Sequence, residues 1–401
     1  MKKIASLSSL ALILASLAPA GPFLQEEPAA VAVPVRVFSG KGFIGDLRRQ
    51  DFVLFEDGQT QEVDGLFLIR RTEVEAVDGL QDFHPPTSRN FHLWFLVRSC
   101  PPQLEAVIDF LFADALTEED SVVITTPAET YTLSGVMIRT KPREMLAAEI
   151  KRILKADIEA KEDEFQRLKD LASRLVAASY AVRGDPLSAK PSAVMTMENL
   201  LQNYRDAYEK WVSPPFLDEK KVLGLVGRAK DSPGQNLAFL FYQEERRAEL
   251  DYDLMSRLIY LFPTRDRVRD SLEDLNQMFG NVPTFDVDRL SMEFASGGVL
   301  FSMITIASPD EQKKDVDMRD VSANVKLVLS TIAVETGGRA VAIEAAEEIA
   351  REAVTVLDRY YLLTYRPKNP SPEGDFRRLQ VEIRGDGYSI VAPRGYFASL
   401  R

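Results

Sequence analysis

Few side chains in this 401-residue chain are suited to chemistry, and the usual catalytic sets are incomplete. There are two histidines, His84 and His92, and one cysteine, Cys100. Hydrolases built on Ser/His or Cys/His pairs, and most zinc enzymes, draw on histidine, so this supply speaks against them. Cys100 follows the apolar run 91–97 and precedes Pro101-Pro102, at the carboxyl end of a strand and the start of a helix. A thiol there is either activated by the helix N-terminus or fills a small apolar gap, free cysteine being among the most buried residue types. Arg98, in the same turn, is either an anion-binding group at that helix start or a salt-bridged surface residue. Thr336-Gly337-Gly338 lacks the Lys-Ser/Thr of a nucleotide loop and reads as a helix C-cap. Asp286/Asp288 and Asp315/Asp317 lack a ligand-spaced Glu or Gly and read as solvated loop charge. No spacing singles out a carboxylate pair for hydrolysis.

The elements that must position these groups are of two kinds. Val31, Val33, Val35 and Val37 alternate as one face of a strand, and Asp51–Asp57 is a second strand ending in the hairpin signal Asp57-Gly58. Gln61 to Ile69 returns as a third, and 71–90 reads as a linker. From Phe91 the strands 91–97, 121–126, 237–242 and 299–306 alternate with helical patterns, and the first is apolar on both faces, as in a buried parallel sheet. Pro101-Pro102 opens a helix to about Leu116. An apolar stripe from Leu146 to Val176 marks a helical insertion at about 142–195, which either protrudes or breaks near Glu162-Asp163. A second helix at about 196–212 returns against it, and 255–280 is also helical in pattern. The end is β again: 359–365, then a hairpin of 377–384 with 388–393 about Gly385-Asp386-Gly387. These late strands are the natural partners of the N-terminal ones, giving a β-sandwich made from both chain ends.

The chain ends and the charge bound the partners. Lys2-Lys3, the uncharged apolar stretch 4–17 and Ala18-Pro19-Ala20 have the three-part layout of a secretory signal peptide, residues 1–20, with a flexible lead-in at 21–30. The rest carries no apolar run long enough to span a bilayer, so the mature chain is expected to have no transmembrane segment and to be exported, periplasmic or secreted. Removing the leader takes away two lysines and moves the formal charge from −12 to −14, with 47 basic against 61 acidic residues. So acidic a surface repels phosphate backbones, and nucleic acid is not an expected partner.

Three segments together resemble bacterial proteins related to von Willebrand factor A. They are 33–44 with Phe55-Glu56-Asp57-Gly58, then Ile332–Ala340, and then Tyr360–Tyr365 with Asp375-Phe376-Arg377 and Arg394-Gly395-Tyr396-Phe397. The resemblance covers nearly the whole mature chain except the helical insertion. It implies an α/β fold: a von Willebrand A-like (Rossmann-like) open sheet with a helical insertion over 91–358, flanked by a β-sandwich from the segments 31–70 and 359–401. It also implies a divalent ion at the carboxyl edge of the sheet, held by Asp-x-Ser-x-Ser after the first strand, a Thr from a second loop and an Asp from a third. This chain departs from that pattern. Arg98-Ser99-Cys100 follows the first strand, Gln243-Glu244-Glu245 stands where Ser-Asp-Gly is usual, and Thr196 is the candidate for the middle loop.

No bound metal and no cofactor are therefore expected. The expectation is a non-enzymatic, exported binding protein that meets a protein or envelope partner at a rim formed by Arg98, Ser99, Thr196 and Glu244. The alternatives are a hydrolytic enzyme using a carboxylate pair and a self-associating structural envelope component.

Overall fold

The computed structural model describes residues 30–40, 42–78, 84–182, 190–212, 217–308, 316–368 and 374–398. The expected leader (1–20), the lead-in up to residue 29 and Asp315 lie outside these residues. Among the described residues no helix is long and apolar enough to cross a membrane. The fold is mixed α/β, with several sheets and with helices covering the sheet at its centre.

Both chain ends build two antiparallel sheets. In one, Val31–Ser39 lies between Ser389–Val391 and Arg359–Tyr365, followed by Val63–Arg70 and Glu73–Asp78. The other runs Gly395–Phe397, Phe376–Ile383, Phe52–Glu56, Gln59–Gln61. Val33, Val35 and Val37 share a core with Leu54, Tyr361, Leu363 and Leu379, so alternation in the first strand points one face into the space between the sheets. The turn at Asp57-Gly58 has positive φ at both residues (49° and 77°), the conformation that makes Asp-Gly a tight hairpin.

Two sequence expectations are corrected here. The segment 71–90 is not only a linker: Glu73–Asp78 pairs with Val63–Arg70 as an edge strand. Its Glu73, Glu75 and Asp78 are the kind of charges that discourage further edge pairing. The strands 376–383 and 389–391 do not form a hairpin either. The first pairs with Phe52–Glu56 and Gly395–Phe397, the second with Val31–Ser39 in the facing sheet. Gly385 and Gly387, both at positive φ, carry the chain across between the sheets.

The central sheet has six strands in the order Ala340–Ala342, Val299–Ile306, Gln235–Gln243, Arg89–Leu96, Ser121–Thr125, Thr130–Leu133. All neighbours are parallel except the last pair. Counted along the chain this is 3-2-1-4-5-6, a doubly wound order. The two middle strands are buried along their whole length because helices cover both faces. Phe91, Leu93, Phe95, Phe239 and Phe241 pack on Pro102–Phe110, the first half of Arg143–Ala181 and Ala346–Leu357. Trp94, Leu96, Leu240 and Phe301 pack on Glu219–Lys230, Val287–Ser296 and Ala323–Glu335.

Thr336-Gly337-Gly338 ends the helix Ala323–Glu335: Thr336 N–H donates to Ile332 O at 2.9 Å and Gly338 N–H to Ala333 O at 2.9 Å. A Cβ on Gly338 would sit 1.9 Å from Phe301 O, so glycine here is a requirement of close backbone approach. Asp286 is likewise not loose loop charge, since it caps Val287–Ser296 by accepting from Arg289 N–H at 3.0 Å.

The helix Arg143–Ala181 runs unbroken past Glu162-Asp163. Its 39 residues span about 58 Å at 1.5 Å per residue. Ile150, Leu154 and Ile158 belong to the sheet core, whereas Phe165, Leu168, Leu171 and Leu175 belong to a separate one. That second core also takes residues from Pro191–Val212, Tyr252–Leu261 and Asp266–Gly280 and from an antiparallel ribbon, Arg246–Leu250 with Val316–Asp320. The helical addition is therefore larger than the stretch 142–195. It forms a cap with its own core, and the ribbon leaves the sheet at its carboxyl edge.

Candidate functional site

In a doubly wound sheet the strand order reverses between the first and fourth strands, and ligands bind in the crevice beyond their carboxyl ends. Here those strands are Arg89–Leu96 and Gln235–Gln243, so the crevice lies between 97–99 and 243–245. Their backbone ends are tied together by Gln243, whose Oε1 accepts from Arg98 N–H at 2.7 Å and from Ser99 Oγ at 3.0 Å. The Arg98 guanidinium donates to Glu244 O at 3.0 Å and Ser308 Oγ at 2.8 Å. Its flat face lies 5.0 Å from the ring centroid of Phe165 and 5.9 Å from that of Trp211, which are themselves stacked at 4.7 Å. Arg98 thus joins three sheet strands to two cap helices. The Glu244 carboxylate is held by Lys326 Nζ at 2.6 Å.

The ribbon leaves the sheet through Glu245, which is 5% exposed. Its N–H donates to Ser322 Oγ at 2.6 Å and its carbonyl accepts from Val321 N–H at 3.1 Å. Its Oε1 accepts from Arg247 Nε at 2.7 Å, and Arg247, 1% exposed, donates onward to Asn281 O at 2.7 Å. Burial pushes the Glu245 carboxyl up to about 7, against the pull of Arg247. Further along the ribbon, Glu249 accepts from Tyr208 OH at 3.0 Å and pairs with Arg319 at 3.4 Å.

Three of the four rim residues come together. Arg98 and Glu244 are half-buried under the cap, and Ser99 is exposed beside them. Thr196 does not join them. It is exposed in the helix Pro191–Val212, with its hydroxyl on Ser192 O at 2.9 Å. It lies fifteen residues, about 22 Å of helix, before the Trp211 that meets Arg98. Among the described residues no group of three or more His, Cys, Asp or Glu is arranged to hold a metal ion.

Cys100 is half-buried, and burial with Glu105 nearby pushes its thiol up, the opposite of activation. His92 is buried in the first strand, 3.4 Å from Asn236 Oδ1, and burial pushes it down to about 4, which leaves the ring neutral. Sequence reasoning missed Glu245, Arg247, Tyr208 and Trp211. The run Glu244-Glu245-Arg246-Arg247 looks like a solvated loop, yet it enters a buried ribbon. A usable signal was present in Tyr204, Tyr208 and Trp211, which at i, i+4 and i+7 mark one buried helix face.

The fold and the site together define an open α/β sheet whose ligand edge is covered by a helical cap, beside a β-sandwich built from both chain ends. Comparisons with protein-family models, with curated proteins and with solved structures found no match for this chain.

Proposed function

We propose that this chain is an exported, non-enzymatic binding protein, built on a von Willebrand A-like domain, which meets a protein or envelope partner through its capped sheet edge. The observation that carries the reading is on the cap. Leu254, Leu258 and Leu261 bury one side of the helix Tyr252–Leu261, while Tyr252 (83% exposed), Ile259 and Tyr260 (69% exposed) cover the other. Aromatic side chains presented to solvent on a rigid helix are the material of macromolecular contacts. The doubly wound strand order supports the domain reading. Arg98, placed where an ion-binding loop would need an acid, supports a contact that does without metal.

In the native host, crosslinking should capture a partner with the wild-type chain and lose it with Tyr252→Ala/Tyr260→Ala, while the melting temperature of the variant stays put. Capture unchanged by the double variant would count against this face. The same preparation should yield a mature chain beginning at Gly21 if the leader is cut where its layout places the cut.

A further inference from the structure

Beneath the cap, at the crevice between the first and fourth strands, is a recess lined by Arg98, Lys161, Trp211, Tyr242, Gln243 and Glu245. Its polar lining is unbalanced. Arg98, Tyr242 and Gln243 line it with donor groups, and Lys161, also in the lining, is paired with Glu164 at 3.0 Å. Gln243 has its carbonyl oxygen committed to Arg98 and Ser99, which leaves its amide N–H groups on the other side. Tyr242 is 3% exposed and its hydroxyl has no hydrogen-bond partner. The polar side chain beside it is Ser322, whose Oγ accepts from Glu245 N–H at 2.6 Å. An unsatisfied buried hydroxyl costs stability unless something else occupies the site. The one acid in the lining, Glu245, is driven toward its neutral, proton-donating form by burial. The free space is small, about 40 Å³. At roughly 10–15 Å³ for a water-sized group it holds about three non-hydrogen atoms, too few for a sugar or a nucleotide.

We propose that this recess binds a single carboxylate group, with Tyr242, Gln243 and Arg98 as its donors. A convergent set of donors in a low-dielectric recess favours an oxyanion, and a planar three-atom group fits where a tetrahedral one is crowded. The groups facing Glu245 are Arg247 on the ribbon, Arg98 on the first loop, Asp320 and Ser322 at the other ribbon base, and Tyr242 near the end of the strand Gln235–Gln243. An anion seated here favours the protonated carboxyl, so binding takes up a proton and tightens as pH falls through about 7. The carboxylate is either a small free acid or the side chain of a partner. Only the second source rests on the function proposed above.

The test is titration of the full mature chain with sodium acetate and, separately, with acetyl-aspartate amide, against sodium chloride at equal ionic strength, followed by the melting temperature and by tyrosine resonances. Saturable acetate binding, at least about threefold tighter at pH 6 than at pH 8, supports a free acid. Saturation by acetyl-aspartate amide at equal or lower concentration supports a partner's side chain. Tyr242→Phe removes only the unpartnered hydroxyl, so it should fold normally and weaken either ligand about fivefold or more. No saturable binding of either probe, or binding unchanged by Tyr242→Phe, overturns the proposal. Loss of crosslinking in the cap-face variant is read independently, so failure of the partner reading leaves the acetate result intact.

Discussion

Replacing Trp211 by alanine is expected to lower stability by about 3–5 kcal/mol, the range for a large aromatic truncated in a packed core. The indole is fully buried, stacks on Phe165 and lies against Arg98. It therefore closes the cap core and contacts the residue that fastens the cap to the sheet. The loss should be uneven. Hydrogen exchange should quicken first in the cap helices 191–212 and 252–280, while the strands 89–96 and 235–243, cored by Phe91, Phe95, Phe239 and Phe241, keep their protection. If sheet and cap amides lose protection together in Trp211→Ala, the cap is not a separable unit and the two cores behave as one.

Arg247→Leu should have a comparable effect with a pH signature. Removing one partner of a buried ion pair leaves the other charge uncompensated and costs about 3–5 kcal/mol. The sign follows from Glu245, whose carboxyl is raised from its ordinary 4.5 to about 7 in the folded chain. Between those values the folded state holds a proton that the unfolded state has released, so stability falls as pH rises through the window. Below 4.5 both states are protonated, and the contribution is flat. Without Arg247 the folded carboxyl is raised further, and the fall extends to higher pH. Urea unfolding should therefore show Arg247→Leu much weaker than wild type at pH 8 and closer to it at pH 5. Adding Glu245→Gln should recover a large part of the loss at pH 8. A deficit equal at both pH values would mean that Glu245 carries no unbalanced charge.

Much of this architecture was legible because its signals are periodic. Strands apolar on both faces announced a covered parallel sheet, and the alternation of Val33, Val35 and Val37 announced a half-buried one. What escaped was non-local. The strands 376–383 and 389–391 look like a hairpin because they adjoin across a Gly-Asp-Gly turn, but their partners are Phe52–Glu56 and Val31–Ser39, more than three hundred residues away. Arg246–Leu250 carries too many charges to resemble a buried strand. It is one because Arg247 donates to Asn281 O and Glu249 finds partners in Tyr208 and Arg319, on segments distant in sequence. Of the expected rim, Arg98, Ser99 and Glu244 lie together because they directly follow the two middle strands. Thr196 was placed by analogy with a loop of the family the sequence resembles, and it lies in the helix Pro191–Val212.

The most direct measurement is isothermal titration of the chain at pH 6, once with Mg²⁺ and once with acetate. The donor-lined crevice, with Arg98 at its centre, should take up acetate with accompanying proton uptake and give no saturable heat with Mg²⁺. Micromolar binding of Mg²⁺ at a single site, with acetate inert, would contradict it.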